Sequence, residues 1–182
     1  MAIYQRAQGG FTLLELLIST SILTIVISLT APSIASVIGA NQLESTSNLI
    51  QRTISLTRSE SVKRGHRVVM CLSDQKNKCN PSRPIQLIVF ADEDRTGIPS
   101  SSADLIKLVT LDHPTVLTSY NRPFLAFSPI GYAAGTNGTF KTCHRNGDGE
   151  LIIVSTLGRT RKAVDYDGDG LVEKTPGNPI SC

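Results

Sequence analysis

The sequence predicts an α+β protein, in which one long amino-terminal helix packs on an antiparallel sheet domain. Residues 16–43 contain no Asp, Glu, Lys, Arg or His, and a helical pattern continues beyond them without a turn signal as far as Gly65. After Gly65 the period becomes extended, and Gly, Pro, Asn and Asp separate the short apolar segments. A chain with a hydrophobic helix joined to a polar domain does not belong to the disordered, collagen-like or small disulfide-rich classes of protein.

The amino-terminal segment has the layout of a short leader before a membrane span. Residues 1–10 carry one Arg and end in two glycines directly before the apolar run that begins at Phe11. A removable secretory signal has an apolar core of roughly 7–15 residues, whereas about 20 helical residues are needed to cross a bilayer. The uncharged run here is of the longer kind. We therefore expect a single-pass membrane helix over residues 11–38 and a soluble domain over residues 39–182.

Two residues of this helix do not suit a plain anchor. Glu15 places a carboxylate in the apolar segment, where ionisable groups are costly and usually functional, and Pro32 should loosen or kink the helix. The run Gly10-Phe11-Thr12-Leu13-Leu14-Glu15-Leu16 resembles the class III signal of type IV pilins and type II secretion pseudopilins. A generic anchor with a stray Glu is the alternative, but it explains neither the paired glycines nor the position of Glu15.

This resemblance implies a processing site and a set of partners. A prepilin peptidase would cut after Gly10, and Phe11 would become the N-methylated amino terminus. Glu15 would neutralise the terminal ammonium of a neighbouring subunit, so that two charges are buried in a filament as a pair. The implied partners are the membrane, the peptidase and other pilins, both major and minor. The implied location is the inner membrane with the domain in the periplasm, and then the pilus tip.

Periodicity places the helix and the strands. Residues 11–64 are predicted to form one helix of roughly 80 Å, and one face of its second half carries Leu43, Ser47, Ile50, Ile54 and Ser61. Strands are predicted at residues 66–72, 85–91, 105–111, 115–118, 124–127, 138–144 and 151–156. We expect the small and apolar face of the helix to pack on the sheet that these strands form.

Four cysteines in an exported domain favour two disulfides, although four allow three pairings. Cys71 and Cys79 enclose a stretch rich in polar and turn-forming residues, which suits a bridge across a loop between strands. Cys143 and Cys182 would then tie the carboxy-terminal residue to a core strand. Zinc binding is the alternative, but the sequence has no closely spaced Cys or His pair of the usual zinc type, and we expect no metal site.

The soluble domain resembles the FimT/FimU and GspH group of minor pilins and pseudopilins. The resemblance rests on the order and spacing of Cys71 and Cys79, FADEDRTG at 90–97, FSPIG at 127–131, GTF at 138–140 and IIVSTLGRTR at 152–161. It implies a pilin-like fold and a subunit that primes assembly of a type IV pilus or lies at its tip. A minor pseudopilin of type II secretion is the alternative.

A pair of arginines follows the last predicted strand. Arg159 and Arg161 stand at i and i+2, which puts them on the same side of an extended chain, where they can bridge adjacent phosphates. In the FimT branch of this group a GRxR motif at this place is associated with DNA capture in natural transformation. The patch could extend to further cations, Lys141, Arg145 and Lys162, and hold double-stranded DNA. A role in the fold or in a subunit contact is the alternative, and the basic residues of the helix are most simply a solvated face.

The remaining motifs favour neither catalysis nor a cofactor. Residues 165–173 (DYDGDGLVE) resemble the start of a calcium loop, but Pro176 stands where a bidentate Glu is required, so ordinary Asp/Gly turn chemistry is the simpler interpretation. The sequence has no HExxH, GxxxxGK or GxSxG motif, and its three histidines are dispersed. We expect a structural and interaction protein, not an enzyme.

Overall fold

Helix α1 spans Leu13–Arg64 and carries a capping signal at each end. At its start the Glu15 N–H donates to Thr12 Oγ1 at 3.2 Å, as an N-cap threonine requires. At its end Gly65 adopts φ +69° and donates its N–H to the Ser61 carbonyl, which is a left-handed glycine stop. The predicted helix is therefore present with ends within two residues of those expected.

The structure is a computed structural model that describes residues 11–74, 78–79, 84–99, 101, 104–111, 113–133, 135–145, 147–168, 172–173, 175, 177 and 180–182, without the side chains of residues 29–35. The chain divides into two compact units, Met1–Ile38 and Gly39–Cys182. No helical stretch among the described residues combines the length and apolar character that a bilayer crossing demands. Gly10 of the predicted cleavage site lies outside the described residues.

Eight strands in the described part of the second unit form two antiparallel four-stranded sheets. The first sheet has the order β3-β2-β1-β5 and the second the order β4-β6-β7-β8. Their bounds are β1 Val68–Ser73, β2 Gln86–Ala91, β3 Leu105–Thr110, β4 Val116–Tyr120, β5 Leu125–Phe127, β6 Thr139–His144, β7 Gly149–Val154 and β8 Thr160–Lys162. All seven predicted strands are present, and the short β8 is an addition.

One face of the second half of α1 closes the core. Ile50 and Ile54 are buried against apolar residues of both sheets, among them Val68 and Met70 of β1, Phe140 of β6 and Ile152 of β7. A second cluster covers the other face of the first sheet, which explains why every residue of β1 is buried. The predicted α+β fold is confirmed.

Small hydroxyl residues let the helix approach the second sheet closely. Ser47 Oγ lies 3.2 Å from Thr142 Oγ1 of β6, and both side chains are fully buried. Thr53 and Thr57 are also buried, and each donates its hydroxyl to the carbonyl four residues earlier at 2.8 and 2.7 Å. Because these hydroxyls are satisfied, their burial does not carry the cost of unpaired polar groups.

Two disulfides join Cys71 to Cys79 and Cys143 to Cys182, the pairing that the spacing predicts. The first bridges partners eight residues apart at the end of β1. The second joins partners 39 residues apart and attaches the carboxy-terminal residue to β6.

Candidate functional site

The turn between β7 and β8 fixes the position of the predicted arginine pair. Gly158 N–H donates to the Ser155 carbonyl at 2.9 Å, and Arg159 N–H donates to Ser155 Oγ at 3.1 Å. Gly158 itself has φ +75°, a conformation that favours glycine. The tight turn sends Arg159 directly into β8, which pairs with β7.

This turn packs directly on the turn that follows β5. A Cβ on Gly158 would lie 2.6 Å from the Gly131 carbonyl oxygen and 2.8 Å from Phe127 Cε1, so no side chain fits there. A backbone hydrogen bond from Ala133 N–H to the Thr156 carbonyl, 3.0 Å long, joins the two segments. The two turns therefore form one surface.

Arg58 of α1 lies against both turns. Its Nε would be 3.0 Å from a Cβ on Gly131 and 3.4 Å from one on Gly158. Its side chain is half-buried, and within the described residues it has no carboxylate partner. Gly131 and Gly158 thus leave space for the Arg58 guanidinium, whose charge no described carboxylate neutralises.

Arg58 and the two turns border a groove of about 700 Å³, which we call the basic groove. Its three cations are Arg58, Lys63 and Arg159. None of its described lining residues is acidic. Hydroxyl groups and a partly apolar floor complete it. The lining residues are Ile54, Ser55, Arg58, Ser59, Val62, Lys63, Gly158, Arg159 and Thr160.

Lys63 stands at the edge of a small ion-pair network on the helix. Lys63 Nζ lies 3.7 Å from Glu60 Oε1, and Arg64 Nε lies 2.7 Å from Glu60 Oε2. The hydrogen bond from Arg64, together with the charges of both cations, holds the pKa of the Glu60 carboxyl below its ordinary value. The shorter contact assigns Glu60 mainly to Arg64, and the Lys63 side chain is 78% exposed.

The predicted DNA-binding residues do not form one cluster. Arg159 lines the basic groove, whereas Arg161 is exposed on β8 opposite Ile153. Since Ile153 and Leu151 share a face of β7 and Lys141 pairs with Leu151, Arg161 and Lys141 lie on the same face of the second sheet.

Two other predicted contributors are separated from Arg159. Lys162 points to the opposite face from Arg161 and pairs with Glu150 at 3.2 Å. Arg145 lies in the turn before β7, and its N–H donates to the Thr115 carbonyl. That turn and the Arg159 turn are at opposite ends of a six-residue strand, about 20 Å apart.

The helix residues Arg58 and Lys63 are the groove members that sequence reasoning missed. Their spacing with Ser55, Ser59 and Val62 follows a helical face, which is a readable signal. Arg58 and Lys63 approach Arg159, however, only because the helix lies beside the β7–β8 turn, about 100 positions later in the sequence. No local sequence pattern encodes that contact.

The described part of the first unit presents an apolar helix with exposed side chains. Phe11 is 77% exposed, and the large hydrophobic residues that follow are all more than half exposed. They are Leu13, Leu14, Leu16, Leu17, Ile18, Ile22, Leu23, Ile25, Val26, Ile27, Val37 and Ile38. An exposed apolar surface of this extent is typical of an interaction site.

A buried carboxylate, Glu173, holds the turn at residues 165–168 of the calcium-like motif. Glu173 is 1% exposed and accepts the N–H groups of Tyr166 at 3.3 Å and Gly177 at 2.7 Å. Asp165 Oδ1 accepts the Gly168 N–H at 2.7 Å. The carboxylates thus perform ordinary turn chemistry, and no metal-ligating cluster occurs among the described residues; Asp169 and Pro176 lie outside them.

Comparison with known families gives two matches. Residues 46–158 match the family model described as type II transport protein GspH, and residues 5–31 match the prokaryotic N-terminal methylation motif. The first match ends at Gly158, one residue before Arg159. No curated protein matches the chain.

Two solved structures have a similar fold. Both are crystal structures of the type IV minor pilin FimU of Pseudomonas aeruginosa strain PAO1 in different space groups, with TM-scores of 0.53 and 0.51 and 19% identity. Each alignment covers 67% of this chain and 88% or 93% of the other. At that identity the likeness establishes the architecture alone.

Proposed function

This chain belongs to the GspH family, and we propose that it is a minor type IV pilin that joins a pilus filament or primes its assembly. One combination supports the proposal. An N-terminal methylation motif at residues 5–31 precedes a domain whose fold resembles that of the minor pilin FimU. The exposed apolar helix that begins at Leu13 supplies the surface by which such a subunit is held, first by lipid and then by neighbouring helices.

In this function the amino-terminal residues act in sequence. Prepilin peptidase removes residues 1–10 after Gly10, and the new amino terminus of Phe11 is methylated. Residues 11–38 hold the subunit in the inner membrane, with the domain in the periplasm. On assembly Glu15 pairs with the terminal ammonium of a neighbouring pilin, because either charge alone would be costly in an apolar bundle.

Processing and piliation together test this proposal. Gly10→Val should leave a full-length precursor that no longer supports pilus assembly, and Gly9→Val is the matched control that leaves the cleavage position unchanged. Intact-mass measurement of the membrane fraction distinguishes precursor from product. A Gly10→Val chain that is still shortened after residue 10 would refute prepilin processing.

A role in type II protein secretion is the second candidate, since the description of the matched family refers to type II transport. Deleting the gene separates the two. Loss of surface pili with normal release of secreted proteins supports the pilus role. The converse result assigns the chain to secretion as a minor pseudopilin.

DNA capture is a further activity that we propose for this pilin. Arg159 and Arg161 are both exposed at the β7–β8 hairpin, and Arg58 and Lys63 add positive charge beside Arg159. Phosphate contacts from such cations provide sequence-independent affinity that falls with salt.

Fluorescence anisotropy of labelled duplex DNA tests this activity on the unit Gly39–Cys182, which contains both core clusters. Arg159→Ala/Arg161→Ala should abolish most binding and lower the slope of log affinity against log salt by about two. Arg52→Ala/Arg145→Ala removes the same charge at distant sites and should bind more nearly like the parent. Equal losses of DNA affinity in the two double variants would show that binding depends on net charge and not on Arg159 and Arg161.

A further inference from the structure

The surroundings of the basic groove are aliphatic as well as cationic. Val62 is 54% exposed, Ile130 70% and Leu157 51%, and they lie on the helix and the two turns that meet at the groove. Gly131, next to Ile130, would place a Cβ 3.4 Å from Val62 Cγ2, and Gly158, next to Leu157, lines the groove itself. The three exposed side chains therefore surround one depression.

An aliphatic patch beside arginines is typical of a protein interface. Binding to the phosphates of DNA would engage the cations and leave Val62, Ile130 and Leu157 in water. A protein segment with both apolar and acidic side chains would cover them and also pair with Arg58, Lys63 and Arg159. A peptide segment would therefore bury more of this groove and its surroundings than a nucleic acid would.

The chain itself carries a segment with this chemistry. In residues 164–168, which we call the acidic loop, Val164 and Tyr166 are 56% and 50% exposed and alternate with Asp165 and Asp167. The loop is held in shape because Glu173 accepts the Tyr166 N–H and the Glu173 N–H donates to the Val164 carbonyl at 3.1 Å. A segment ordered before binding loses less conformational entropy when it docks.

We propose that the basic groove receives the acidic loop of a second copy of this chain. Charge complementarity supports this occupant, since three cations meet two carboxylates while Val164 and Tyr166 cover the exposed aliphatic side chains. The contact joins two different surfaces, so each copy keeps one surface free and the association can continue head to tail. The inference concerns a partner that the proposed processing does not involve, and this partner would compete with DNA for Arg58, Lys63 and Arg159.

Site-specific photocrosslinking identifies the occupant. The full-length chain carrying Ser59→p-benzoylphenylalanine is purified in detergent, mixed with heavy-nitrogen-labelled parent chain, irradiated and digested with trypsin. Cleavage after Lys162 and Lys174 releases residues 163–174 as one peptide. The expected product joins the probe peptide to the heavy form of this peptide. The matched control is the probe at Arg52, which lies on the same helix outside the groove and should not give that product.

Charge exchange then tests the pairing. Lys63→Glu in the probe-bearing chain should lower the yield of the mixed product by about fivefold or more. Asp167→Lys in the heavy chain should restore part of it, as products of residues 163–167 or 168–174, because the new lysine divides the tryptic peptide. Circular dichroism checks that each charge variant is folded. If a variant is unfolded, the crosslinks between the probe-bearing chain without a charge change and the heavy parent chain decide the partner. Products confined to the same chain, to lipid, to nucleic acid or to any other peptide would overturn the proposal, and neither processing nor piliation would be affected.

Discussion

The carbonyl oxygen of Gly131 occupies the space that a side chain at position 158 would need. A Cβ there would lie 2.6 Å from that oxygen, and Gly158 already has φ +75°. The β7–β8 turn therefore depends on glycine for both its conformation and its packing.

Replacing Gly158 should destabilise the domain more than replacing another left-handed glycine. We expect Gly158→Ala to cost about 3 kcal/mol of unfolding free energy, because backbone strain and steric overlap add. Gly135→Ala, with φ +80° and no atom within 4 Å of the new Cβ, should cost only about 1 kcal/mol of strain. Urea denaturation of the unit Gly39–Cys182 measures both, and equal costs would contradict the packing argument.

A buried ion pair fixes the loop after β2. The Asp92 side chain is fully buried, with Oδ2 at 3.2 Å from Arg67 Nη1 and Oδ1 accepting the Gly97 N–H at 3.0 Å. Arg67 also lies 5.3 Å from the centre of the Phe124 ring. The carboxylate thus holds both the loop and the guanidinium.

Removing this carboxylate should be strongly destabilising. Asp92→Ala is expected to cost about 3–5 kcal/mol, since it leaves Arg67 without its partner in a largely buried site. Arg67→Met/Asp92→Leu should be less destabilising than Asp92→Ala alone, because no unpaired charge remains. A double-mutant cycle by chemical denaturation checks this, and a cost below about 1 kcal/mol for Asp92→Ala would show that water replaces the carboxylate.

The sequence predicts the helix and the strands of this fold better than it predicts the contacts between them. The face that carries Ile50 and Ile54 is buried as its helical spacing predicts, and residues 68–72 of β1 form a continuous apolar run. The three-residue β8 is too short and too charged for a strand pattern, so only its pairing with β7 defines it.

The candidate site shows the same limit. Arg159 and Arg161 could be selected from their local spacing, but the salt bridge of Lys162 to Glu150 and the contact of Arg58 with the two glycine turns depend on tertiary structure. The separation of Arg145 from Arg159 follows from the direction of β7. This separation could have been predicted, because one residue precedes and the other follows a strand that the sequence does predict.

The two disulfides should differ in their contribution to stability. Their partners are 8 and 39 residues apart, and the cost of closing a loop in the unfolded chain grows with its length. Replacing Cys143 and Cys182 together by Ala should cost about 4 kcal/mol, against about 2.5 kcal/mol for Cys71 and Cys79. Chemical denaturation of the two double variants tests the order. A larger loss for the shorter loop would show that the packing of Cys71 in the core outweighs the difference in loop length.

The last prediction concerns alkaline pH. Tyr120 stacks on Phe140 with ring centroids 4.0 Å apart, and its hydroxyl donates to the Thr136 carbonyl. Burial raises the pKa of the Tyr120 hydroxyl above its ordinary value. The folded state therefore holds the proton more tightly than the unfolded state, so this stabilisation is complete below about pH 10 and is lost as the pH rises further.

Tyr120→Phe should separate this pH dependence from the rest of the domain. At neutral pH the variant loses the hydrogen bond, at a cost of about 1 kcal/mol, but above about pH 10 its unfolding free energy should fall less steeply than that of the parent. Tyrosinate absorbance should show one ionisation in the parent that appears only as the domain unfolds, and this step should be missing in the variant. If Tyr120 instead ionises reversibly in the folded domain near its ordinary pKa, the phenol is accessible to water and its burial does not stabilise the fold at high pH.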